Sequence, residues 1–152
     1  MSDATNLNPP GARLNRTINL PLTAARFLRT ADQYRSSFRI SDWNRQTGVV
    51  SLEFIERHRP RLISTSDNSA ATGRFEIDRA TGRLMSSRLT LQSGATVATI
   101  TVRFAADANV GMWLPLTMDE EYRGPFNGLV AGAAKYSHYR QFRVETSGSV
   151  KQ

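Results

Sequence analysis

At 152 residues and 16.9 kDa the chain has the length of one domain large enough to bury a core. Its 39% hydrophobic and 22% charged residues exclude wholesale disorder, and no run approaches the roughly 20 apolar residues of a membrane helix. The net charge of +7 comes almost entirely from arginines scattered along the chain, which serve solubility and association, while the lack of cysteine excludes disulfides, thiolate metal sites and cysteine nucleophiles.

The opening Met1-Ser2-Asp3 is polar, and no secretory signal peptide is expected in it. Residues 1–15, with Asn8-Pro9-Pro10-Gly11, lack periodicity and are expected to form a flexible arm. One domain is then expected over 16–146, with a flexible tail at 147–152. The only helical spacing follows, with Ala24, Phe27, Leu28 and Ala31 at i, i+3, i+4 and i+7. Pro21 suits a first turn and Asn19 a cap, so a helix is predicted to end near 31–34.

From residue 35 the period becomes two. Phe38 and Ile40 alternate with polar residues, as do Val50, Leu52 and Phe54, then Phe75 and Ile77. Asp78-Arg79-Ala80-Thr81-Gly82-Arg83 predicts a tight hairpin, because Asp bonds back to following amides and Gly accepts the left-handed conformation. The return strand presents Met85, Leu89 and Leu91 on one side. After Ser93-Gly94 the next carries Ala98, Ile100, Val102 and Phe104. Beyond Asp107 to Gly111, Met112, Leu114, Leu116 and Met118 alternate with Trp113, Pro115 and Thr117, and Pro115 demands an edge or a bulge. A last strand is expected over about 129–144, with Val130, Ala134, Tyr136, Phe142 and Val144. The fold class read here is mainly β: an antiparallel sheet of about seven strands, apolar on one face, with the helix as its cover.

Catalytic and metal patterns are missing. His58 sits among arginines, and His138 falls on the predicted last strand about eighty residues away, whereas a metal site needs three or four converging ligands. Asp119-Glu120-Glu121 can place at most Asp119 and Glu121 on one face. No nucleophile elbow or phosphate-binding loop occurs. The expectation is therefore no enzyme, no cofactor and no metal. The Arg57–Arg61 cluster, and Tyr136, Tyr139 and Phe142 beside Arg140 and Arg143, give a weak stacking-plus-phosphate pattern that alternation splits between faces, so nucleic acid is not the expected partner.

Four segments together carry a resemblance: RTINLPLTAARFL (16–28), GRFEIDRATGRLMSSRLTL (73–91), ATITVRFAADANVGMWLPLTMDEEY (98–122) and AAKYSHYRQFRV (133–144). They resemble the C-terminal part of an uncharacterised group of bacterial envelope proteins with an I-D-x-x-T-G-R hairpin, a G-x-W-x-P strand and a closing Y-S-x-[FY]-R-x-F strand. The hairpin order is similar to the lipoprotein-localisation (LolA/LolB-like) fold, a curved half-barrel whose helix-covered concave face holds acyl chains. The resemblance implies a periplasmic or envelope location. Without an export signal, the chain is then expected to be a fragment of an exported parent.

The function expected on these grounds is a non-enzymatic binding module for a lipid or other hydrophobic small molecule, with an envelope protein as a further partner. Its expected lining is Phe54, Phe75, Ile77, Leu89, Ile100, Phe104, Leu114, Leu116 and Met118. Periodicity alone leaves open whether these side chains fill a core or line a cavity. Two alternatives stand beside it: a structural or protein-interaction domain, and a basic surface for nucleic acid or anionic lipid.

Overall fold

The computed structural model describes residues 3–6, 20–125 and 128–140. Seven strands form one open antiparallel sheet: β2 (Ser36–Asn44), β3 (Val49–Glu56), β4 (Thr72–Asp78), β5 (Leu84–Ser93), β6 (Thr96–Asp107), β7 (Met112–Arg123) and β8 (Leu129–Lys135). Each pairs with its sequence neighbour, so the sheet is a plain meander from β2 to β8. Within the segment expected as a flexible arm, Asp3–Asn6 forms a short strand, β1, paired antiparallel with β8. Among the described residues no helix is long and apolar enough to cross a membrane.

The three turns at one end of the sheet share one construction. In Asn44–Gly48, Asp78–Gly82 and Asp107–Gly111 the first side chain accepts two following amides through its Oδ1, at 2.8–3.2 Å. The closing glycine's N–H donates to the first residue's carbonyl at 2.8–2.9 Å, with φ between +65° and +73°. The Asx bond holds the turn, and glycine supplies the left-handed residue at no steric cost. Nothing lies within 4 Å of a Cβ placed on Gly82, so backbone strain alone sets the cost of adding one. Gly82→Ala is expected to lower stability by about 1 kcal/mol in a urea melt. An unchanged midpoint would remove the left-handed requirement.

Each of these turns is accompanied by a β-bulge nearby. Register places one extra residue at Ser41 in β2, Met85 in β5 and Leu116 in β7. A single extra residue reverses the alternation beyond it. Met85 is therefore not on the buried row with Ser87, Leu89 and Leu91, and the inward row of β7 runs Pro115, Met118, Glu120 and Tyr122. The expected row Met112, Leu114, Leu116, Met118 is corrected: Met112 and Leu116 are exposed, at 53% and 41%. Pro115 lies beside the bulge, opposite Phe104 of β6 and beyond the β8 ladder, which begins at Thr117, so β7 is locally an edge there.

The predicted helix is also corrected. Ala24–Leu28 and Gln33–Arg35 are two short 3₁₀ turns, separated at Arg29, whose ψ of 137° is extended. Thr23 makes no side-chain capping bond, and no acidic residue stands in the first turn. Ala24 and Phe27 are buried in the core and Leu28 packs on its margin, while Ala31 is exposed. Without a cap and with one turn of packing, a segment this short cannot support an α-helix. The proposed cap, Asn19, lies outside the described residues.

The last strand ends at Lys135, not near 144. Tyr136 donates its amide to the carbonyl of the bulged Leu116 (2.9 Å), and His138 has a φ of +59°. Tyr139 then folds over β7, its hydroxyl donating to the Pro115 carbonyl at 2.7 Å. Phe142, Arg143 and Val144 lie outside the described residues.

Phe54 centres the main core, 4.7 Å from Phe27 and stacked on Phe75 at 5.0 Å between ring centroids. Ala24, Ile63, Ala71, Leu89 and Leu91 complete it. The 57–71 loop is thus a second cover over this end of the sheet. Its tip is tied down by Asp67, which accepts the Gly94 amide at 2.9 Å and bonds with Thr65 and Ser69. Those bonds, the Gly94 amide first, hold the Asp67 carboxyl down at about 2.

A depressed carboxyl stabilises the fold above its unfolded value near ~3.9, and the contribution is lost as pH falls through the folded value. An NMR titration is therefore expected to place the Asp67 midpoint near 2, with the Gly94 amide shifting in the same window. An ordinary midpoint near ~4 would detach the loop from the turn.

Candidate functional site

The side chains expected to line a cavity separate into three groups. Phe54, Phe75 and Leu89 are buried in the main core, with Ile77 packed on its margin. Ile100, Phe104 and Met118 belong to a second cluster with Val102, flanked by Leu84, Trp113, Ala134 and Tyr136. Leu114 is half-buried, and Leu116 projects at the bulge. These seven core and margin residues, all but Leu114 and Leu116, are packed against neighbours. Phe27 takes the place that a ligand on the Phe54–Phe75 face would need.

An open recess lies instead at the edge of the covered end. About 430 Å³ of this open space is lined by Leu28 and Tyr34 from the 3₁₀ segment, Phe38 on β2, Leu52 on β3, and Gln33. Pairing across the β2–β3 ladder sets Phe38 opposite Phe54 and Ile40 opposite Leu52, so the recess floor continues the core outward to the edge strand. The Gln33 amide donates to the Leu28 carbonyl at 2.7 Å, which uses the backbone acceptor and leaves the wall mostly apolar. Tyr34 is 62% exposed, and the Arg35 guanidinium lies 5.0 Å from its ring centroid. The mouth therefore has the exposed Tyr34 with its hydroxyl, and the floor is apolar, while the Arg35 guanidinium turns to the Pro60 carbonyl and Asp32.

Sequence reading named Leu28, Phe38 and Leu52 as periodic residues but not as a lining. The signal was the break between helical and two-residue periods at 33–36, where a covering segment must lift away from the first strand. Gln33 and Tyr34 carry no local signal.

His58 is exposed, and its amide donates to the Arg35 carbonyl at 3.1 Å. The Ser137 hydroxyl and His138 Nδ1 are 2.9 Å apart, and among the described residues no carboxylate pairs with the ring. Asp119 and Glu121 share the polar face, where Glu121 pairs with Arg123 at 2.6 Å. Glu120 is buried on the other face and accepts the Tyr122 hydroxyl at 3.0 Å. Among the described residues no three His, Asp or Glu side chains come together as a metal set. No family model, curated protein or solved structure matches the chain.

Proposed function

We propose that the protein is a non-enzymatic binding module for an apolar, chain-like ligand such as an acyl group. The observation that carries this reading is the 430 Å³ recess with an apolar floor and a polar mouth. That volume falls within the usual range for small-molecule sites, and the division of polarity suits a ligand with a greasy body and a polar end. The site differs from the one expected along the strand centres, because those side chains already fill a core. The lipoprotein-carrier likeness supports the reading only through topology: a meander with a segment laid over one apolar face. An envelope location belongs to the same proposal.

Titration with cis-parinaric acid tests it. Saturable binding is expected for the wild type, with loss in Leu28→Glu and Phe38→Ser measured well below the melting temperature of each variant, since both side chains also pack on the main core. Ile100→Ala, in the separate second cluster, is expected to lower stability by about 2–4 kcal/mol and leave binding intact. A wild type that binds no probe, and carries no lipid in native mass spectrometry, would refute the proposal.

A further inference from the structure

The opposite, polar face of the sheet gathers arginines that sequence spacing leaves scattered. Arg74 on β4, Arg88 on β5 and Arg103 on β6 line a groove of about 200 Å³ with Glu76, Ser86 and Thr101. The register explains the gathering. Arg74 lies directly opposite Arg88, Arg88 opposite Thr101, and Ser86 opposite Arg103.

The charges in the groove are not balanced from within. Arg74 is anchored, its Nη2 donating to Glu53 at 2.9 Å, and Arg39 takes the other Glu53 oxygen at 2.6 Å. Those two guanidiniums hold the Glu53 carboxyl below its ordinary range, Arg74 contributing most. Glu76, the one acid in the lining, accepts the Ser51 hydroxyl on both oxygens at 2.9–3.0 Å. On β7, Asp119 stands opposite Thr101. Arg88 and Arg103 have neither an ion pair nor a side-chain hydrogen bond among the described residues. A like-charge pair directly across a ladder, such as Arg74 and Arg88, is destabilising in the empty protein.

We propose that this groove binds a phosphate group, with the Arg88 and Arg103 guanidiniums as charged donors and the Ser86 and Thr101 hydroxyls as neutral ones. Guanidinium forks match phosphate oxygens in pairs, and a bound anion removes the repulsion that the register creates. The groove has room for one anionic group. No aromatic side chain stands on the polar face of β3 to β7, so the stacking platform of a single-stranded nucleic-acid site is missing.

Calorimetry of the full chain with inorganic phosphate, joined to flotation with phosphatidylcholine vesicles with or without phosphatidic acid, tests the proposal. Saturable phosphate binding that weakens as salt rises is expected. Arg88→Gln and Arg103→Gln are each expected to weaken it about tenfold, and Glu76→Gln to tighten it. Without phosphate, Arg88→Gln should melt no lower than the wild type, because it removes a like-charge contact. Recruitment to phosphatidic acid that free phosphate blocks would identify a lipid headgroup as the source; phosphate binding without recruitment would identify a soluble phosphate ester. Absence of binding to both probes overturns the proposal, as does unchanged binding when Arg88→Gln and Arg103→Gln are combined. Retention on a single-stranded oligonucleotide that phosphate does not displace overturns it too. The arginine variants should retain cis-parinaric acid binding, so the two proposals fail separately.

Discussion

Gly73→Ala is expected to destabilise the fold by about 3 kcal/mol or more, a larger cost than removing any of the left-handed turn glycines. A Cβ at this position would collide with the Arg88 carbonyl oxygen on β5 and stand 2.5 and 2.9 Å from Cε1 and Cζ of Phe54. Neither neighbour can give way cheaply. The carbonyl belongs to the backbone of the adjacent strand, where Gly73 pairs with Leu89. The Phe54 ring is held between Phe27 and Phe75. Glycine here allows an aromatic side chain to lie flat over the neighbouring strand.

A double-mutant cycle with Phe54→Leu separates the two collisions. The leucine should recover part of the loss by vacating the ring volume, and the part due to the carbonyl should remain. A Gly73→Ala midpoint within about 0.5 kcal/mol of the wild type would show that Phe54 does not pack over this glycine.

The seven strands were legible because each carries a period of two, and Asp or Asn followed four residues later by Gly marks three of their turns. What the pattern could not show is where an extra residue enters. Leu116 and Met85 look like members of apolar rows, yet at a bulge the residues beyond change faces, and no local propensity marks that point. The 24–31 segment misled for a related reason. Ala24, Phe27, Leu28 and Ala31 have helical spacing, but spacing records only which residues would share a face, not whether the sheet offers enough surface to hold a second turn. The arginine groove was hidden differently: Arg74, Arg88 and Arg103 each sit on the polar side of a predicted strand, and only the pairing register brings them together. The recess depends on how the covering segment leaves the sheet, which alternation does not encode.

Glu56→Ala is the second large effect expected, about 3–5 kcal/mol, although the residue looks in sequence like one more surface charge at a strand end. Its side chain is 1% exposed and turns inward at the end of β3. One carboxylate oxygen accepts the Leu62 amide at 2.6 Å and the other accepts the Ala71 amide at 3.2 Å. A single side chain thus closes both ends of the loop whose Ile63 and Ala71 cover the main core. The Arg61 guanidinium adds a bond to the Glu56 carbonyl at 3.2 Å. Truncation would leave two backbone donors without acceptors, one of them at the fully buried Ala71. It would also free the cover over Phe54. Glu56→Gln separates these effects. The amide keeps the volume and one acceptor oxygen but turns an NH₂ toward the second donor, so about half the loss is expected. Hydrogen exchange distinguishes this anchoring from a general surface-charge effect: in Glu56→Gln the Leu62 and Ala71 amides should exchange faster while the β6–β7 ladder keeps its protection. Uniform acceleration across the sheet, or a Glu56→Ala variant as stable as the wild type, would mean that the loop is held by its apolar contacts alone.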